Sequence, residues 1–272
     1  MTAAAQKQAE THYARDLVRA FGGALIFAVP LLMTMEMWWF GFHMDRVRMA
    51  VFIAASAPLL IGLAYYAGFS HRQNLLDATL DAFAALAVGA VTASVLLVLV
   101  GALQQGDAPR QLIGQVSLQA VPAAIGALLA RRQLRGGGAP EDKKPETYAG
   151  ELFLMVIGAL FLALNLAPTE EMVLIAWRAS PWHMLALLAL SLGVMHVIVY
   201  QAGFGGQEEH GRPLTAFFHF TLAGYGLVLL TGLFVLWLFG RTDGQALSEI
   251  VATCVVLGFP AGLGAAAARL LV

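Results

Sequence analysis

Two glutamates stand inside long apolar runs, each two residues after a threonine and shortly before tryptophan. Glu36 lies in Thr34-Met35-Glu36-Met37, ahead of Trp38 and Trp39. Glu171 lies in Thr169-Glu170-Glu171-Met172, ahead of Trp177. An ionised carboxylate in hydrocarbon costs about 3 kcal/mol or more unless it is paired, protonated or hydrated. An acid kept there therefore points to a cation- or proton-handling site. Two such carboxylates brought close together would share a proton. Thr34 and Thr169 add hydroxyls, and Asn165 adds an amide. Pro30 precedes Glu36 and Pro168 precedes Glu171. Proline frees carbonyls on the preceding turn, and broken transporter helices use freed carbonyls as ligands. The structural alternative is a protonated glutamate bonded to a neighbouring helix or snorkelling outward, with prolines that only bend their helices.

Gln111, Gln115 and Gln119 recur every four residues and so share one helix face. Such a stripe lines a wet path or supplies hydrogen bonds between helices. Asp77 and Asp81 suit the start of a helix, where acids are favoured. His196 and His219 lie inside apolar runs without histidines at matching positions, which suits structural hydrogen bonding better than haem ligation. The chain has no Walker motif and no H-E-x-x-H. Its lysines, Lys7, Lys143 and Lys144, fall outside the apolar runs, which excludes a membrane Schiff base. Cys254 is the single cysteine and excludes an intramolecular disulfide. No nucleophile–base constellation is visible, so no catalytic residue and no cofactor are expected. The residues specify no metal.

The elements that must position these groups are membrane helices. The chain is 59% hydrophobic and 12% charged, with a mean hydropathy of +0.74; soluble domains carry about 25% charge. Spans of about 20 apolar residues cross the hydrocarbon core. Eight are predicted, at about 17–42, 48–68, 78–103, 110–131, 149–176, 182–203, 213–240 and 247–271. The chain divides into a cytoplasmic N-terminal tail (1–16), a first transmembrane repeat (17–131), a cytoplasmic linker (132–147) and a second repeat (148–272). No cleavable signal peptide is evident. Lys and Arg set the orientation. With eight spans, eleven of the 16 fall on the side of the termini and linker, which makes that side cytoplasmic. In the first span Glu36 then lies roughly 20 Å from the cytoplasmic side, just under Trp38 and Trp39.

The two halves resemble each other. Residues 23–69 shifted by 135 fall on 158–204 without a gap. Gly23-Ala24-Leu25 matches Gly158-Ala159-Leu160. Thr34, Glu36 and Met37 match Thr169, Glu171 and Met172, and Tyr65 matches Tyr200. A second block aligns with a shift of 138: Pro122-Ala123, Gly126-Ala127 and Ala130-Arg131 match Pro260-Ala261, Gly264-Ala265 and Ala268-Arg269. Four spans per half make the repeats parallel, related by an axis along the membrane normal. Glu36 and Glu171 are then expected at one depth, facing each other across that axis.

Phe21-Gly22-Gly23-Ala24-Leu25 followed by Pro30-Leu31-Leu32-Met33-Thr34-Met35-Glu36-Met37-Trp38-Trp39 resembles a bacterial family of integral membrane proteins of about this length, known from cyanobacteria and rhizobia-like bacteria. Asn165-Leu166-Ala167-Pro168-Thr169-Glu170-Glu171 resembles its second signature. The resemblance covers the whole chain. It implies a multi-pass bacterial membrane protein and no particular activity or site residues.

The expectation is therefore an all-α polytopic bundle of eight spans in two parallel four-helix repeats, in a bacterial inner membrane with both termini cytoplasmic. It is expected to be a secondary transporter or channel for small cations or protons, with Glu36, Glu171, Thr34, Thr169, Asn165 and Gln115 in the pathway. The alternative is a non-transport scaffold or sensor with structural glutamates. The expected partners are the lipid bilayer and a small cation or proton, not nucleic acid. A homo-oligomer is compatible with this architecture.

Overall fold

In the computed structural model the described residues are 3–66, 74–104, 106–133, 147–202 and 217–271, and all their regular elements are helices. They are α1 (Ala3–Leu32), α2 (Met35–His43), α3 (Arg46–Tyr66), α4 (Leu75–Leu99), α5 (Pro109–Gln133), α6 (Tyr148–Leu166), α7 (Glu171–Arg178), α8 (Pro181–Ala202), α9 (Ala223–Leu238, entered through a π-helical turn, Phe217–Leu222) and α10 (Leu247–Leu271). Among the described residues seven helices are long and apolar enough to cross a membrane, or eight spans if the bent pair Leu17–Leu32 and Met35–His43 counts as one. Most of the linker predicted at 132–147 lies outside the described residues.

The chain forms two compact units, Met1–Ala139 and Pro140–Val272. In the first, α5 is the central helix and packs on α1, α2, α3 and α4. Every residue from Leu118 to Ala130 is buried. In the second, α10 has that place and packs on α6, α7, α8 and α9. Each unit runs long helix, short helix, then three long helices.

On α4 the buried face is mostly small, with Ala78, Ala82, Ala85, Gly89 and Ala93 beside Val88, Thr92 and Leu97, while Leu80, Phe83, Val91, Val95 and Leu99 point outward. In lipid the tails are as apolar as leucine. Association then depends on close backbone packing at small residues, and bulky side chains face the acyl chains. The glycines show how close that packing is. A Cβ on Gly23 would collide with the Gly126 carbonyl and the Ala130 side chain, and one on Gly158 with the Gly264 carbonyl and the Ala268 side chain. Gly89 sits in the same way against Ala120 and Ala124.

Two predicted spans are not single helices. The first, 17–42, breaks after Leu32, and α2 leaves at 88° to α1. The fifth, 149–176, ends as a helix at Leu166, and α7 starts only at Glu171. From Leu17 to Leu32 an α-helix rises roughly 24 Å, and from Tyr148 to Leu166 roughly 28 Å. Both long helices thus nearly exhaust the ~30 Å core before they stop.

The glycine contacts give a stability test. Gly158→Val forces a side chain into the α10 backbone, and such overpacking costs about 1–3 kcal/mol. Its thermal midpoint in detergent should fall by roughly 3 °C or more. Gly193→Ala meets nothing within 4 Å and should leave the midpoint unchanged or raise it.

Candidate functional site

At the first break α1 ends at Leu32 and exposes carbonyls that no following helical N–H can reach. The residues just beyond supply the donors. The Thr34 hydroxyl donates to the Leu31 carbonyl at 2.7 Å, and the Thr34 N–H reaches the same oxygen at 3.2 Å. The Trp38 indole N–H donates to the Leu32 carbonyl at 2.9 Å. Thr34 is the N-cap of α2 with extended backbone, but its side chain bonds backward to α1 and not forward to α2. Glu36 sits in the first turn of α2, half-buried. There the unpaired N–H groups of the helix start favour negative charge. From α5, Gln115 Nε2 donates to the Trp38 carbonyl at 3.2 Å, and Gly41 of α2 touches Gly114 of α5 backbone to backbone. The bend is thus fastened to α1 on one side and to α5 on the other.

The second break repeats the construction 135 residues later. The Thr169 hydroxyl donates to the Leu166 carbonyl at 2.8 Å, and its N–H reaches the same oxygen at 3.1 Å. Glu171 opens α7 and is exposed. Here a guanidinium does the work of the indole: Arg241 donates to the carbonyl of buried Pro168. Asn165 Nδ2 donates to Phe161 of its own helix at 2.7 Å.

The structure therefore places Thr34 with Glu36 and Gln115 around one break, and Thr169 with Asn165 and Glu171 around the other. The carbonyls of Leu31, Leu32, Leu166 and Pro168 accept bonds from protein donors. The carbonyls freed by the prolines lie one turn earlier, at Ile26 and Leu164, and are not among these four. Pro30 lies within α1, two residues before its end.

Sequence reasoning passed over a neighbouring feature. An open cleft of about 650 Å³ lies between α7 and the start of α10, floored by the turn after α9. Glu170, Trp177, Arg241, Ser248, Glu249 and Thr253 are among its lining residues. Glu170, whose matching position in the first half is Met35, lines the cleft where Glu171 does not. Glu249 Oε2 also accepts the Ala246 N–H at 3.1 Å. Trp177 is 79% exposed, as suits an indole at a membrane–water boundary.

The histidines have local partners. His196 Nδ1 lies 2.9 Å from the Thr221 hydroxyl, and His183 Nδ1 lies 2.7 Å from that of Ser180. His43 stacks on Trp39. Among the described residues no three His, Cys, Asp or Glu side chains are grouped as a metal site.

The indole bond at the first break is testable. Trp38→Phe keeps most of the apolar area but leaves the Leu32 carbonyl without its donor, at a cost of about 1–3 kcal/mol. Denaturant melts should show that loss, and amide exchange should quicken around Leu32 to Met37 more than in α4.

A family described as "Putative integral membrane protein (DUF2391)" matches residues 16–272 of the chain. No curated protein and no solved structure matches it.

Proposed function

The chain belongs to this family of integral membrane proteins, and from that premise we propose that it is a transport protein for small cations or protons. In this reading the two units are duplicated parallel repeats. Glu36 and Glu171 carry the cation, and Thr34, Thr169, Asn165 and Gln115 lie along its path. The protein resides in a bacterial inner membrane with both termini in the cytoplasm.

One observation carries the reading: in each unit a spanning helix stops, a threonine hydroxyl bonds back three residues, and a glutamate starts the short helix that follows. Transporters build substrate and ion sites where a membrane helix is broken; the helix start by itself favours an anion, so a cation would have to be drawn by the side chains at the break. A carboxylate at each is the natural partner for a cation. The cleft beside the second break has Glu170 and Glu249 on its walls together with Arg241, though not Glu171 itself. The duplication is supported by matching packing: Gly23 meets Gly126 and Ala130, and Gly158 meets Gly264 and Ala268. Those are the pairs that the shifts of 135 and 138 equate.

A scaffold or sensor is the second reading, favoured by the unbroken burial of α5 from Leu118 to Ala130. Flux measurements separate the two. Reconstituted protein should pass protons or a monovalent cation. Glu36→Gln and Glu171→Gln should each slow that flux by about tenfold or more, a loss of roughly 1.4 kcal/mol in transition-state stabilisation. Equal flux in wild type and both variants would remove these glutamates from the mechanism, and wild-type flux no higher than that of protein-free liposomes would leave the scaffold reading.

A further inference from the structure

The first unit contains two buried amides that its own packing does not satisfy. Gln115 is 1% exposed and Gln119 is 0% exposed. Gln115 uses its Nε2 on the Trp38 carbonyl. Its Oε1, and both Oε1 and Nε2 of Gln119, have no hydrogen-bond partner among the described residues. The two side chains lie four residues apart on one face of α5, with Cβ atoms about 6 Å apart. Gln119 is ten residues into a helix that starts at Pro109, roughly 15 Å along it. Unpartnered amide groups are costly where protein seals them off, because no solvent is at hand to replace the missing bonds.

The site lies beneath the first helix break. Gly23 meets Gly126 and Ala130, while Phe27 meets Gly126, so α1 and α5 run antiparallel. Seven residues onward on α1 and seven back on α5 bring Pro30 level with Gln119. The second unit has no such pair. The positions 138 residues on are Thr253, whose hydroxyl donates to the Glu249 carbonyl, and Leu257, which is apolar and fully buried.

We propose that Gln115 and Gln119 bind an internal water between α5 and the first helix break. The atoms specify water over a metal cation. Two carbonyl oxygens need donors and one N–H group needs an acceptor. Water supplies two donors and two acceptors, and buried waters commonly make about three such bonds. A cation would serve the oxygens and repel the N–H group. A relay of protons through this water rests on the transport reading, but the water site does not.

The test is water-edited solid-state NMR on the full chain in lipid bilayers with ¹⁵N-labelled glutamine. The Gln119 side-chain signal is assigned by its loss in Gln119→Leu, or in Gln119→Met if the leucine variant does not fold. Magnetisation from water should reach the Gln119 Nε2 group at about half or more of the rate seen at Gln245, which is exposed. No transfer to Gln119 beside normal transfer to Gln245 would overturn the water site. Movement of the Gln119 signal when Na⁺ is exchanged for K⁺ would also overturn it, because the amides would then be cation ligands. With the water signal present, proton flux in the Gln119 variant should fall about tenfold. Unchanged flux would overturn the relay role, whereas wild-type flux no higher than that of protein-free liposomes would overturn the transport reading with the water site intact.

Discussion

A helix that stops in or near hydrocarbon leaves carbonyls that water cannot reach, and each must find a donor within the protein. This constraint shapes both unusual places in the chain. At Leu31 and Leu166 the donor is a threonine hydroxyl three residues on. At Leu32 it is the Trp38 indole, and at Pro168 the Arg241 guanidinium. These bonds do more than close a helix end. They fix the direction in which the chain leaves, 88° from α1 in the first unit, and so decide where the next helix begins. A glutamate stands within the first turn of each new helix, where the backbone dipole favours it. The geometry of the acids follows from how the carbonyls are satisfied.

The rest of each unit holds that arrangement in place with small residues. Without a hydrophobic drive between helices in lipid, contact has to come from close approach. Gly23 against Gly126, Gly41 against Gly114, and Gly158 against Gly264 bring backbones together with no side chain between them. At the second break, the positions matching Gly41 and Gly114 carry Ala176 and Ala252, and both line the cleft. Two added methyl groups go with an opening where the first unit has backbone contact. The units thus share a plan and differ where a ligand could act: a cleft beside α7 in one, buried amides along α5 in the other.

Much of the fold was legible in the sequence because apolar length is a direct physical requirement of a span. The span predicted at 247–271 coincides with α10, and that at 182–203 lies within a residue of α8. The breaks were not legible. Residues 17–42 are apolar enough to read as one span, and hydropathy does not register a turn in the axis. Thr34 and Thr169 were visible as hydroxyls near the acids. Their bonding back to Leu31 and Leu166 depends on the chain having already turned. The cleft was hidden for a different reason. Arg241 and Pro168 meet across 73 residues of sequence, and Glu170 has no counterpart in the first half to draw attention to it.

The central claim is that the carboxylates at the two helix breaks can be reached from water. The most direct measurement is thiol labelling in sealed vesicles. Glu36→Cys and Glu171→Cys are placed singly in a background where the buried native thiol, Cys254, is replaced by serine. A membrane-impermeant maleimide is then applied from each side in turn. The account requires both positions to label from at least one side, at rates far above that of Cys254 in the otherwise wild-type chain. Failure of both to label, in protein that a permeant maleimide does modify, would contradict it.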